Sequence, residues 1–382
     1  MDLVSHGSDV GHEYRRLISR RGFARKTIQA SALASIGCIA SQSTTPQEHD
    51  LRLLSSAPKL AAWHTAAGPI VLASATKGGG TTPPAVTLAG NLNQALPLRI
   101  EIDNPGPRGT ATFKWARNEL GADSPLTLAP NWVQTGVTTA ASVLLGSTGI
   151  SAEFPSATYA DDQLWNSVVS QWKDVDSQAG YELDNSTVSV SNSCIYEQSS
   201  FINNLPSIWF SPGMLGNQSN LAAVFNNNEP FHVFYMGHIE TLATGNNGLV
   251  ILAGSNQSQT SKDYLTLFFT GPSAVPSRVY SLQRISDVPV TRRINSTFQT
   301  GLAPHIWEIA SDGAVLYLYM DGFLVDTIII AGNLLINRYT VGGLRLGANA
   351  ATLFGVQRGC DHAVYRDKLS DPERYDILRA LS

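Results

Sequence analysis

Two Asp-Gly pairs near the C-terminus, Asp312-Gly313 and Asp321-Gly322, bracket the run Ala314–Met320 and constrain this chain more than any other feature. Asp-Gly supplies the positive φ that a tight hairpin needs, because glycine carries no Cβ and Asp tolerates the left-handed region. The flanking segments, Pro304-His305-Ile306-Trp307-Glu308-Ile309 and Phe323-Leu324-Val325-Asp326-Thr327, read as strands. Strand, turn, strand, turn, strand is therefore expected here. A short helix should close the chain, with Ser370 or Asp371 as N-cap, Pro372 near the first helical position and Glu373 in the first turn.

Composition agrees with a β-rich reading. Charged residues make up only 15% of the 382, and the net charge is −4. That balance gives no general nucleic-acid footprint. No run of eighteen apolar residues occurs, so no membrane span is expected. The three cysteines, Cys38, Cys194 and Cys360, are too scattered for a zinc site. Cys194 and Cys360 fall in one C-terminal region, and whether they pair is open. Asn-x-Ser/Thr sequons occur at Asn185, Asn217, Asn256 and Asn295. They matter only in a eukaryotic host.

Three parts are expected along the chain: 1–60, 61–160 and 161–382. The first is a basic arm, partly helical between roughly 11 and 40, carrying Arg15, Arg16, Arg20, Arg21, Arg25 and Lys26. Those six cations suit an acidic partner surface. Ser19-Arg20-Arg21-Gly22-Phe23-Ala24 also matches a twin-arginine export motif, and a plain basic tail is the third reading. The anchoring arm is carried forward.

Between 61 and 160, short strands are expected at 69–74, 85–89, 96–102, 110–116, 132–137, 141–145 and 150–154. Alternation in Thr110–Ala116 places Ala111, Phe113 and Trp115 on one face. Strands at such spacing imply an immunoglobulin-like sandwich. The segments Leu98–Ile102, Arg108–Trp115, Thr135–Thr139, Gly149-Ile150 and Phe154–Tyr159 also resemble a small β-sandwich module of tailed-phage structural proteins.

The third part is expected to open with an amphipathic helix over Asp161–Trp172, where Leu164, Val168 and Trp172 recur at intervals of four. Core strands follow at Leu205–Phe210 and Pro230–Met236. With Val341–Gly347 and Ala363–Arg374 added to the Asp-Gly hairpins, about residues 165–382 resemble the concanavalin A-like, laminin-G-type jelly-roll family. The resemblance implies a surface that binds, most often glycans, and seldom cuts. The expected fold is thus mainly β: a helical arm, an immunoglobulin-like sandwich and a jelly roll.

Candidate chemistry is thin. Glu101 and Asp103 share a strand face as a glycosidase pair would, but Asn104-Pro105 ends the strand and no third carboxylate follows. His232, His238 and Glu240 share one face and are expected to be half-exposed polar positions, not metal ligands. His305 lacks a nucleophile elbow, and Gly78-Gly79-Gly80 lacks the Lys-Ser/Thr end of a phosphate loop. Asn226–Glu229 reads as a turn. Trp165, Trp172, Trp209, Tyr235, Trp307, Tyr317 and Tyr319 could stack on sugars, yet their strand patterns place most in the core. No catalytic residue and no cofactor is expected. The function these features favour is a non-enzymatic fibre, spike or decoration subunit of a tailed-phage or phage-derived virion. Its partners would be other virion proteins through the arm, a host-surface glycan, and copies of itself in a homo-oligomer. The alternative is an exported, lectin-like bacterial protein, periplasmic or extracellular, and a glycoside hydrolase ranks last.

Overall fold

The structure is a computed structural model. It describes residues 59–381 except 78–83, 94–95, 97, 118–131, 162, 177–178, 185–193, 198–204, 211–212, 218–219, 226–227, 240–245, 254–263, 271–277, 285–290, 300–303, 331–337 and 343–356. Between 246 and 299 only the backbone path of the strands is described. Residues 58–370 form one compact unit, and the C-terminal helix belongs to another.

In the first half, the strands are β1 (Leu60–Thr65), β2 (Ile70–Lys77), β3 (Thr87–Gly90), β4 (Leu98–Asn104) and β5 (Gly106–Pro107). They continue as β6 (Thr112–Arg117), β7 (Trp132–Thr138), β8 (Val143–Leu144), β9 (Ile150–Glu153), β10 (Thr158–Tyr159) and β11 (Leu164–Trp172). The next are β12 (Leu183–Asp184), β13 (Cys194–Glu197), β14 (Ser207–Phe210) and β15 (Leu215–Asn217), with one helical turn, α1 (Asn220–Ala223). Then come β16 (Phe231–Ile239), β17 (Asn246–Ala253), β18 (Tyr264–Thr270), β19 (Arg278–Arg284) and β20 (Thr291–Gln299). The last are β21 (His305–Ser311), β22 (Val315–Met320), β23 (Phe323–Ile329), β24 (Arg338–Val341), β25 (Gln357–Tyr365) and the helix α2 (Asp371–Leu381).

The molecule is mainly β, and the described pairings are antiparallel. A front sheet runs β13-β14-β25-β16-β21-β22-β23, with β1 added on β25. A second sheet runs β20-β19-β18-β17-β24-β15-β12-β11-β4-β6-β7, with β2 on β11. The small sheet β3-β9-β8 and the two-stranded pair β5-β10 complete the first half. Strands from both sides of residue 160 share the long sheet, and β1 from the start of the unit pairs with β25 near its end. The segments expected as 61–160 and 161–382 are thus joined by hydrogen bonds as well as by chain.

The helix expected over Asp161–Trp172 is instead the strand β11, which is a correction with a clear cause. A spacing of four is even, so it fits one face of a strand as well as one face of a helix. Trp165, Val168 and Val169 are aromatic or β-branched, and Asn166 and Ser167 favour helix poorly. The strand is buried along most of its length because β2 flanks one edge, and β4 and then β12 flank the other. A bulge between Val169 and Gln171 shifts the phase, so Trp172 joins Trp165 and Val169 in the core.

Around β11 the sandwich core holds Ile100, Ile102, Ala111, Phe113, Trp115, Phe154 and Tyr159. Phe154 lies 4.8 Å from Phe113, centroid to centroid, and meets Tyr159 and Trp165 edge-on. Each such ring contributes roughly 1.5–3 kcal/mol by burial. The Trp165 and Trp172 indoles donate to the carbonyls of Pro84 and Thr65, so their burial leaves no polar orphan. The same buried cluster continues through Val233, Tyr235, Trp307, Ile309, Leu316, Leu318, Tyr339, Val341 and Val364.

Both Asp-Gly turns form. Asp321 (φ 51°) and Gly322 (φ 83°) make a two-residue hairpin between β22 and β23, and Met320 pairs with Phe323. Gly313 (φ 91°) turns β21 into β22. Gly342 is tightly constrained: its φ is 92°, and a Cβ there would run into Phe210 and the Gly213 carbonyl. Gly342→Ala should therefore destabilise by about 2 kcal/mol or more, from left-handed strain plus a packing shift. A urea unfolding midpoint unchanged from the parent protein would refute that.

Candidate glycan-contact surfaces and buried polar pairs

At one end of the front sheet, the β21–β22 turn builds a rigid polar rim. Asp312 Oδ1 accepts the backbone N–H groups of Ala314 (2.9 Å) and Val315 (2.8 Å). Its Oδ2 accepts the Tyr317 hydroxyl at 2.6 Å. The Lys368 ammonium stands 4.3 Å from the Tyr317 ring centre. Partial burial alone would raise the Asp312 carboxyl, but the bonds from Tyr317, Ala314 and Val315 and the Lys368 charge hold it below the usual range. The same Asp312 bond pushes the Tyr317 phenol up to about 12. Asp312 is exposed and Tyr317 half-buried, with Tyr319 stacked beside it at 6.2 Å. The rim offers a fixed acceptor, an ammonium and an aromatic edge: the donors, acceptors and apolar surface that a sugar's hydroxyls and C–H groups need.

A second polar surface lies on β4, β6 and β7. Arg99 and Glu101 alternate with the core residues Leu98, Ile100 and Ile102 on β4, so they point to the opposite face. Glu101 bonds Arg99 Nη2 (3.1 Å) and Lys114 Nζ (2.9 Å). Trp132, at the start of the edge strand β7, has Lys114 Nζ 4.6 Å and Arg99 Cζ 5.8 Å from its ring. None of these was singled out from sequence except Glu101. The signal was present in the charges at 99, 101 and 114, interleaved with apolar residues.

Two buried constellations follow, one inside the front sheet and one reaching from it to Tyr339 of β24 in the long sheet. Arg358 on β25 binds Glu197 on β13 side-on through Nε and Nη2. Ser207 Oγ donates to the same carboxylate at 3.1 Å, and Trp209 lies 5.7 Å from the guanidinium. Deeper in, His64 (β1) meets His362 (β25) Nδ1 to Nδ1 at 3.2 Å. His64 Nε2 lies 2.8 Å from the Tyr181 carbonyl, and His362 Nε2 contacts the Tyr339 hydroxyl. A carbonyl can only accept, so the His64 proton sits on Nε2 and its Nδ1 is an acceptor. His362 then donates from Nδ1 and accepts from Tyr339. The chain runs one way, and each imidazole is neutral. Burial lowers His64 to about 4, against small opposing pulls from the Tyr181 carbonyl and Glu182. Burial and His64 together push His362 well below its ordinary value. Burial raises the neighbouring Asp361 carboxyl to about 6.

The remaining sequence expectations resolve as follows. Arg15, Arg16, Arg20, Arg21, Arg25, Lys26, Gly78–Gly80 and Glu240 lie outside the described residues. His232 is fully buried, not half-exposed, with Nε2 3.0 Å from Glu308 Oε2; this corrects the expectation, since β16 is covered on both faces. His238 is half-buried, its pKa lowered by burial and then by Arg358 and His305. His305 Nδ1 bonds Asp321 at 2.8 Å. Asp103 accepts the Thr112 hydroxyl and the Gly136 N–H. Trp165, Trp172, Trp209, Tyr235, Trp307 and Tyr319 are buried, which leaves Tyr317 from that set at the surface. Cys194 and Cys360 are both buried and not joined in a disulfide, and burial pushes the Cys194 thiol up. The sequon Asn217 is buried, its amide bonded to the Gly180 and Glu182 carbonyls. Among the described residues no helix is long and apolar enough to cross a membrane, and no group of three His, Cys, Asp or Glu side chains is placed to hold a metal ion.

No protein-family model matches the chain, and no curated protein matches it. Several solved structures are similar over part of it. The CBM40 of the Ruminococcus gnavus IT-sialidase, bound to α2,3-sialyllactose, is 15% identical, covers 40% of this chain and 83% of its own, with a TM-score of 0.34. Trypanosoma rangeli sialidase with the inhibitor DANA is 16% identical over 55% of this chain and 30% of its own, with a TM-score of 0.38. Botulinum neurotoxin type C, described with its interaction with two ganglioside molecules, is 12% identical over 55% and 48%, with a TM-score of 0.38.

Proposed function

We propose that this chain is a non-enzymatic glycan-binding subunit of a tailed-phage or phage-derived particle, acting as a fibre, spike or decoration protein. The observation that carries the binding is the rim of Asp312, Tyr317 and Lys368, where hydrogen bonds fix an exposed carboxylate beside a half-exposed ring and an ammonium. Binding without cutting is supported by the state of three front-sheet carboxylates: Glu197, Glu308 and Asp321 are engaged by Arg358, His232 and His305 respectively. Most glycosidases place two carboxyl groups on either side of one glycosidic bond. The particle assignment rests on the resemblance of about 65–160 to a phage sandwich module and on the six-cation leader.

A shallow rim gives weak contacts, in the micromolar to millimolar range, and many copies on one particle supply avidity. The full chain should bind host-surface polysaccharide and release no reducing ends. Tyr317→Ala should weaken binding about tenfold, the loss of one ring contact and one ordered hydroxyl. Undiminished binding by that variant would remove the rim from the reading, and sustained release of reducing ends would make the chain an enzyme.

A further inference from the structure

We propose that the face formed by β4, β6 and β7 is a second binding site, specific for a carboxylate-bearing saccharide and anchored by Arg99. Directly opposed residues of antiparallel strands share a face. Arg99 is opposite Ala116, and Ala116 is opposite Trp132, so the three form one transverse row. Ala116 is only a methyl group, so the row dips between a guanidinium and an indole that meet above it. Lys114 and Glu101 flank this trough in the next row.

The guanidinium is incompletely used. Nη2 donates to Glu101, but Nε and Nη1 are shut off from solvent with no hydrogen-bond acceptor. Keeping such donors dry and unpaired is costly to a fold unless an acceptor comes to them. Nη1 with the second Nη2 hydrogen is the end-on fork that fits a planar carboxylate, and Nε is left for a neighbouring hydroxyl. Arg99 and Lys114 stand beside Glu101 in the trough, while Asp103, further along the same face, is engaged by the Thr112 hydroxyl and the Gly136 N–H. Trp132 completes the match. Its indole lies over the guanidinium and stands at the start of an edge strand whose next four residues are exposed. Turned outward, it opens the fork and offers its face to the ring that bears the acid. Carboxylate, adjacent hydroxyl and an apolar ring face together describe a uronic-acid type of sugar, whereas an inorganic oxyanion would use only the fork.

The test is calorimetric titration of the full chain with oligogalacturonate, with inorganic phosphate and with a neutral galactose oligomer. The expected result is binding of oligogalacturonate, weakened at least tenfold in both Arg99→Lys and Trp132→Ala and intact in Tyr317→Ala. Arg99→Lys keeps the charge and removes the fork. Trp132→Ala alters an edge-strand residue and remains informative if the arginine variant does not fold. Binding of phosphate alone would overturn the saccharide assignment. So would equal binding of the neutral oligomer, no binding of any titrant, or affinity unchanged in both variants. Loss of binding in Tyr317→Ala but not in the Arg99 and Trp132 variants would assign the acidic sugar to the rim and end this proposal.

Discussion

Glu197→Ala is expected to cost the fold about 3–5 kcal/mol, the usual penalty for leaving one member of a buried ion pair alone. Arg358 and Glu197 are 1% and 2% exposed, so neither charge can turn to water once its partner is gone. The carboxylate holds Arg358 through two nitrogens and takes the Ser207 hydroxyl as well, so alanine strands a guanidinium and a hydroxyl together. Because β13, β14 and β25 are neighbours in the front sheet, the damage falls on one edge of that sheet. Replacing both residues, as Glu197→Met with Arg358→Met, should recover most of the loss, since an apolar pair of similar volume needs no desolvated charge. Urea unfolding followed by circular dichroism measures both variants. A single-variant loss below about 1 kcal/mol, the surface-pair range, would show that the pair is not buried in solution.

Local features were readable in the sequence, and long-range ones were not. The Asp-Gly hairpins, the Ala111–Phe113–Trp115 face and the strands expected at 205–210 and 230–236, which form at 207–210 and 231–239, follow from period, turn chemistry and φ preference, which act over a few residues. β11 was misread because a four-residue spacing is ambiguous between helix and strand; its doubly flanked place in the long sheet, set by β2, β4 and β12, settles it. His232 was misplaced for a related reason: a lone polar residue on an alternating strand looks surface-facing until its buried partner, Glu308, is known. Glu197 and Arg358 are 161 positions apart, and His64 and His362 are 298 apart. No local pattern marks such pairs. The surface sites fall between these extremes, since Arg99, Glu101 and Lys114 show as charges on alternating strands, but their meeting with Trp132 depends on sheet register.

Acidification should destabilise the fold between pH 6.5 and about 4 through the two buried histidines. Both have folded pKa values below the unfolded value near 6.5. Their contribution is therefore complete above 6.5, and it is lost as pH falls, because the unfolded chain takes up protons that the native chain refuses. Geometry explains the refusal. Tyr339, His362 and His64 already supply one proton to each of three hydrogen bonds, and a further proton at the Nδ1–Nδ1 contact would place two N–H groups face to face at 3.2 Å. Each histidine then contributes a slope of roughly 1.4 kcal/mol per pH unit. Asp361 works against them: its folded pKa, raised to about 6, makes the native state bind a proton that the unfolded state releases down to the ordinary carboxylate range. Glu182 is the other charge acting on the pair, and it favours protonation of His64 only weakly. Two histidines against one carboxylate leave a net loss of roughly 1.4 kcal/mol per pH unit from this cluster. Other carboxylates titrate in every variant and cancel in a comparison. His362→Leu should be less stable at pH 7, because His64 Nδ1 and the Tyr339 hydroxyl lose their partner, yet its stability should fall less steeply with acid, by about one histidine's slope. Chemical denaturation at half-unit steps from pH 7 to pH 4.5 gives both curves. Parallel curves would mean that His362 is protonated in the native state, and the neutral one-way chain would be wrong.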